Sequence, residues 1–311
     1  VLANAAPLTM TGLSVGFAFK TGLFNIGAAG QYTLGAFGAL YCAIVLQWPW
    51  YLCLLAAMVF GAVWGALPGI FKAYLNINEV ITAIMFNWIG LYMVNDIMYG
   101  KGKSPMYDLA STKTYSLRKA APQAMIPSCG MSDAFGKLQS VTIAIFIAIF
   151  FAIVVYIILN KTAFGYELRA CGFNKNAARY AGINEKRNII LSMMISGALA
   201  GVGAGLYYLS TVAEWNPQVS TALPAMGFNG ISTALLACSN PIGTIFSSLF
   251  ISYITVGGTK LSTQYYSKEI ADVITALIIY LCAFSLLFKN KIRALLEGKA
   301  KRVSVGKGGD D

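Results

Sequence analysis

Apolar residues along this chain are gathered into long runs that carry few or no charges. They fall at 2–19, 24–46, 50–71, 78–99, 141–159, 189–209, 222–238, 241–257 and 271–288. A helix needs about 20 predominantly apolar residues to cross a hydrocarbon core, so the pattern predicts nine candidate spans. The expected fold is all-α: a polytopic integral membrane protein whose single transmembrane domain covers 1–288, followed by a basic tail over 289–311. The chain enters apolar sequence directly at Val1, with no Met and no charged leader region, so it does not read as a signal peptide. A missing N-terminal helix is expected, which would make ten.

One polar island, 161–187, interrupts the runs with six Lys or Arg and two Glu. Asn174 is placed to N-cap a short alanine-rich helix and Gly182 to terminate it. A second short helix is expected over 166–171, ending at Gly172. Two readings are open: a solvated loop whose charge merely sets topology, or an ordered docking surface. The 101–140 segment, with Pro105, Pro122 and Pro127 and charges of both signs, shows no helical period. It either caps one mouth of the bundle or receives a partner.

Charge orients the chain. Placing the island inside puts fifteen Lys and Arg on the cytoplasmic side and eight outside, six of them in the long 101–140 loop, whose charges count less. The net charge of +11 sits in the island, the tail and that loop. It is therefore read as topology and attraction to anionic membrane lipid, not as a nucleic-acid surface. With no histidine and six scattered cysteines lacking any CxxC pair, zinc or haem ligation, a Ser-His-Asp triad and a disulfide framework are not expected.

Glycine spacing predicts close packing. Gly61, Gly65 and Gly69 form one ladder; Gly197, Gly201 and Gly205 form another. Each opens a flat groove that lets a neighbouring backbone approach. The density of Gly22, Gly27, Gly30, Gly35 and Gly38 suggests a broken or tightly packed helix, and Pro68 is expected to kink the third span. Asn87 lies mid-span, where an amide facing lipid is costly, so it should point into the bundle, toward either a neighbouring helix or a solute. Phe24-Asn25 and Phe228-Asn229 head two Gly-interrupted segments, a pattern that can mark a midplane site. Asn25, Gln31, Phe86, Asn87, Phe228 and Asn229 are thus candidates for a solute path. Neutral amides suit a hydroxyl-rich or heterocyclic small molecule better than an ion.

Several blocks resemble one known family. They are Thr11-Gly12-Leu13-Ser14-Val15, the stretch from Lys20-Thr21-Gly22 through Phe24-Asn25-Ile26-Gly27 to Gly30-Gln31, Asn78-Glu79-Val80-Ile81 with Phe86-Asn87-Trp88, Ser196-Gly197-Ala198-Leu199-Ala200-Gly201, and Gly230-Ile231 with Asn240-Pro241-Ile242-Gly243. Together they resemble bacterial ABC-transporter permeases for nucleosides and simple sugars, within a superfamily that includes ribose and branched-chain amino-acid permeases. The resemblance implies a multi-pass subunit of the bacterial plasma membrane with no catalytic centre and no cofactor of its own. It further implies a second permease subunit, a cytoplasmic ABC ATPase carrying ATP and Mg, and an extracellular substrate-binding lipoprotein. The ATPase would dock on the island through Gly165, Glu167, Leu168, Arg169, Gly172, Asn174, Ala177, Ala178 and Gly182. Ala29 departs from the family, which commonly has an acidic residue there. An ion-coupled secondary transporter, needing no ATPase, is the rival reading.

Overall fold

The computed structural model describes residues 1–99, 105–108, 110–130, 141–216, 222–258, 270, 273–274, 276–278 and 280–281. Most of the ninth apolar run, and all of the tail 289–311, lie outside the described residues. The chain divides into two compact units, Val1–Tyr253 and Ile254–Asp311. In the second, the described residues between 270 and 281 are helical.

The elements are α1 (Leu2–Lys20), α2 (Ala28–Ile44), α3 (Trp50–Leu75), α4 (Glu79–Tyr99), β1 (Tyr107–Asp108), β2 (Lys113–Thr114), α5 (Leu117–Ala120), α6 (Ala144–Lys161), α7 (Ala163–Phe173), α8 (Lys175–Tyr180), α9 (Glu185–Leu209), α10 (Ala225–Leu236) and α11 (Pro241–Gly258). Six of these, α1, α3, α4, α6, α9 and α11, are long and apolar enough to cross a membrane. Large apolar side chains stand exposed along them, among them Leu55, Val63, Ile81, Met85, Phe146, Phe150 and Phe246. Lipid is the solvent that tolerates such a surface. The chain is an all-α, polytopic membrane protein.

Two apolar runs do not become full-length helices. The run 24–46 yields α2, with 17 residues, and the run 222–238 yields α10, with 12. At about 1.5 Å per residue, α10 spans only about 18 Å. The breaks have local causes. Gly22 (φ +74°) turns the chain before α2, and Cys238 and Ser239 (φ +51° and +55°) end the segment after α10. Pro68 lies inside α3, which continues to Leu75.

Helix α9 is the axis of the first unit, packing on α1, α2 and α3. The two glycine ladders meet each other there. A Cβ at Gly65 would lie 3.0 Å from the Gly197 Cα, and one at Gly61 would lie 2.9 Å from the Gly201 Cα. Gly205 faces Leu54 and Ala57, Gly69 faces Ile190 and Met193, and Gly35 of α2 also abuts Gly201. With no side chains between them, backbone meets backbone and dispersion contacts replace the hydrophobic effect, which lipid does not supply. Hydroxyl pairs stitch the remaining helices: Thr9 to Ser248 at 2.6 Å and Thr142 to Ser210 at 2.9 Å.

The 101–140 segment is more ordered, where described, than its lack of periodicity suggested. Met106, Leu117, Ala121, Ala124 and Ile126 are buried in the main core. Ile126 N–H donates to Leu209 O (3.1 Å) and Thr114 N–H to Trp215 O (3.0 Å). Gln47 Nε2 donates to Ala120 O at 3.1 Å. These bonds seat the segment on the ends of α2 and α9.

Candidate functional site

The island folds as a run of capped helices. Thr162 Oγ1 accepts from Gly165 N at 3.0 Å, starting α7. Asn174 Oδ1 accepts from Asn176 N (3.0 Å) and Ala177 N (3.1 Å), starting α8. Gly182 (φ +79°) ends α8, and Asn184 Oδ1 accepts from Arg187 N at 3.1 Å to start α9. Each cap satisfies donors that a helix start leaves orphaned. The expected short helix over 166–171 is longer, Ala163–Phe173, and Gly172 lies inside it instead of ending it. The reason is a close approach: a Cβ at Gly172 would sit 2.5 Å from the Thr21 carbonyl and 2.7 Å from Gly22 N.

The inner face of the island is anchored. Leu168, Cys171 and Ala178 are buried, and Gly165 packs on the backbone of Ile158 and Leu159 at the end of α6. Asn188 Nδ2 donates to Cys171 Sγ at 3.6 Å. The outer face is open: Phe173 is 89% and Tyr180 94% exposed. Beside Phe173 runs a groove of about 460 Å³ lined by Tyr166, Arg169, Ala170, Phe173, Asn174, Ala177, Ala178, Ala181 and Ile183. Arg169 lines it with its Nε buried and without a hydrogen-bond partner. Glu167 is half-buried on the same helix. Lys72 pairs with Glu79 at 2.7 Å, and Lys186 lies 5.0 Å over the Tyr74 ring, so the ends of α3 and α4 gather here too.

The candidate path amides form a closed knot behind the Gly22 turn. Asn25 Nδ2 donates to Gln31 Oε1 (2.8 Å) and to Ser196 Oγ (2.6 Å), and Gln31 Nε2 returns a bond to Asn25 Oδ1 (3.2 Å). Ser196 Oγ donates on to Ser14 O at 2.7 Å. Asn87 Oδ1 accepts from Gly30 N (2.7 Å) while its Nδ2 donates to Ile26 O (3.1 Å). Asn25, Gln31 and Asn87 are almost fully buried. Their polar groups are thus spent on the chain itself, holding the break before α2 against α1, α4 and α9. Thr21 and Ser192 add a short hydroxyl contact between this turn and α9. Phe86 packs edge-on against Trp64 at 5.5 Å. The structure does not bring Phe228 and Asn229 into the knot: Phe228 is exposed and Asn229 half-buried on α10. That helix packs instead through Gly227 on Ala29 and Gly230 on Thr11.

At the end opposite the island, two cavities open beside Tyr208. One, of about 570 Å³, is lined by residues including Lys113, Thr114, Arg118, Thr211, Glu214 and Asn216. The other, of about 330 Å³, is lined by residues including Leu91, Asn95, Tyr207, Trp215, Leu223 and Pro224. The irregular stretch after α9 was not singled out in the sequence. Only its single Trp, at the end of a Tyr-rich helix, hinted at it.

Residues 1–283 match the family described as the branched-chain amino acid transport system / permease component. This chain belongs to that permease family. The permease is 34% identical to a guanosine ABC transporter permease of Bacillus subtilis, over 90% of this chain and 78% of that protein. It is 33% identical to a nucleoside ABC transporter permease of Lactococcus lactis, over 99% of this chain and 84% of the relative. A glucose ABC transporter permease of Haloferax volcanii is 28% identical over 93% of this chain and 77% of its own length. No solved structure matches the permease. Membership makes the chain a multi-pass plasma-membrane permease subunit of an ABC importer, a transport component whose ATPase activity resides on a separate protein.

Proposed function

We propose that this permease imports nucleosides, driven by a cytoplasmic ABC ATPase that docks in the groove of α7 and α8. The observation carrying the docking reading is an open aromatic groove on a helix pair of which α7 is wedged, through Gly172, against the Gly22 turn. Burial of Phe173 and Tyr180 by a partner would remove two almost fully exposed rings from water. A carboxylate or helix C-terminus of the ATPase would meet the unpartnered Arg169 Nε. The guanosine and nucleoside names of two relatives support the substrate class, and the glucose name of a third supports simple sugars as the second reading. On this reading ATP and Mg are held by the ATPase, a second permease subunit completes the path, and an extracellular substrate-binding lipoprotein delivers solute.

Force would pass by contact. The ATPase moves α7, Gly172 presses on the turn at Thr21 and Gly22, and the turn carries Asn25 away from Ser196. Opening the amide knot would free α2 to tilt against α4. Asn25, Gln31, Phe86, Asn87, Phe228 and Asn229 then border the path. The test is ATP-dependent uptake of labelled guanosine and glucose by the assembled transporter in proteoliposomes, with F173D and Y180D as docking variants. Both variants should insert normally yet fail to co-purify with the ATPase. Retention of the ATPase at wild-type yield by the double variant would refute the docking surface.

A further inference from the structure

Four buried side-chain polar atoms among the described residues lack a hydrogen-bond partner, and three of them belong to residues around Tyr208, far from the island: Tyr32 Oη, Asn95 Oδ1 and Trp215 Nε1. Buried polar groups are nearly always paired, so the two unmet atoms of Asn95 and Trp215, residues that line one cavity, call for an occupant; Tyr32 lies beside Tyr208 outside that lining. The neighbourhood is aromatic. The Tyr207 and Tyr208 rings lie 5.1 Å apart at 89°, Trp215 is 5.6 Å from Tyr208, and Tyr32 is 6.3 Å from it. Asn95, Tyr207, Tyr208 and Trp215 line the cavity of about 330 Å³, which falls within the ~300–1,000 Å³ range of small-molecule sites.

We propose that this cavity is a nucleobase subsite at the outer mouth of the permease, where Trp215 Nε1 donates to and Asn95 Oδ1 accepts from the edge of a flat heterocycle lying against Tyr207 or Tyr208. The inference rests on the nucleoside reading above. Its chemistry is specific. A ring with an acceptor and a donor on one edge answers both unmet atoms, and tyrosine faces reward planarity. Glu214 is the charged side chain in the lining, and it is exposed, which places a carboxylate at the rim where ribose hydroxyls can donate to it. The site is also held in place without its ligand. Trp215 N–H donates to Thr114 Oγ1 (3.2 Å), and Trp215 O accepts from Thr114 N (3.0 Å) and Tyr99 Oη (3.3 Å). The path amides Asn25, Gln31 and Asn87 offer no such free groups in this conformation, so first selection falls to the outer cavity.

The test uses the assembled transporter in proteoliposomes and the initial rate of labelled guanosine uptake. W215F keeps the ring against Tyr208 and removes the donor; N95A removes the acceptor. Each should raise the KM for guanosine about tenfold, the usual effect of leaving one buried partner unmet, with the maximal rate unchanged. Competition by nucleosides should weaken in parallel. A purely structural role would lower the amount of folded transporter and leave KM alone. Unchanged KM in both variants, with guanosine uptake intact in the wild type, would overturn the subsite while the nucleoside reading stands. A wild-type transporter that takes up glucose and no nucleoside would overturn both.

Discussion

Replacing Gly172 with alanine tests the link between the docking groove and the membrane bundle. The new Cβ would sit 2.5 Å from the Thr21 carbonyl, and restoring ordinary contact near 3.4 Å requires the two backbones to separate by about 0.9 Å. Both are main chain, so no side chain can rotate away. The island is at the surface and yields outward, which puts the stability cost near the low end of overpacking, about 1 kcal/mol. In a unit of this size that shifts Tm by about 3 °C. Transmission should suffer far more, since a misplacement on the order of 1 Å can cost an activity up to roughly 100-fold. We expect guanosine taken up per ATP hydrolysed to fall by about tenfold in proteoliposomes, with insertion and ATPase binding retained. G182A is the matched control. Its Cβ meets nothing within 4 Å, although φ is +79°, so it adds backbone strain of about 1 kcal/mol without displacement. An unchanged uptake-to-hydrolysis ratio in G172A, or an equal loss in G182A, would refute the reasoning.

The amide knot predicts a different signature: N87L leaves the buried Gly30 N–H and the part-buried Ile26 C=O unpaired, at about 1–3 kcal/mol for the buried donor, and thermal unfolding in detergent should show a loss of several degrees. G197V drives a branched side chain into the Gly61 and Gly65 backbone; we expect about 3 kcal/mol of destabilisation and aggregation on size exclusion, whereas a monodisperse protein of wild-type Tm would contradict the packing. T162A and N174A each remove one N-cap, about 1 kcal/mol, and hydrogen exchange should quicken in α7 or α8 respectively by about fivefold while α9 stays protected.

Much of this was legible in one dimension. Apolar run length marked the six helices long enough to cross, because a bilayer demands about 20 residues from any helix that spans it. Asn174 and Gly182 declared the island helix because capping is a local act. The glycine ladders were visible as ladders, but not that each is the other's partner, since Gly65 and Gly197 are brought together only by the packing of α3 on α9. The same limit hid the fate of the path amides. Whether Asn25 faces a solute or Ser196 depends on a residue 171 positions away. The breaks around α2 and α10 escaped run counting because a turn made of Gly22, or of Cys238 and Ser239, costs the hydropathy pattern nothing. Beyond the lone Trp215 after a Tyr-rich helix, nothing marked the cavity of Asn95, Tyr207 and Tyr208, because an unmet hydrogen bond has no sequence pattern.

The knot behind the Gly22 turn is built from amides, hydroxyls and main chain, and among the described residues no Asp, Glu, Lys or Arg is buried. Moving one elementary charge through a membrane field is worth about 2.3 kcal/mol per 100 mV. A neutral latch moves none. On the proposed mechanism, parting the knot's own amides and hydroxyls moves no formal charge and takes up no proton. On that mechanism, a cell whose proton gradient has collapsed could still open the knot as long as it keeps its ATP.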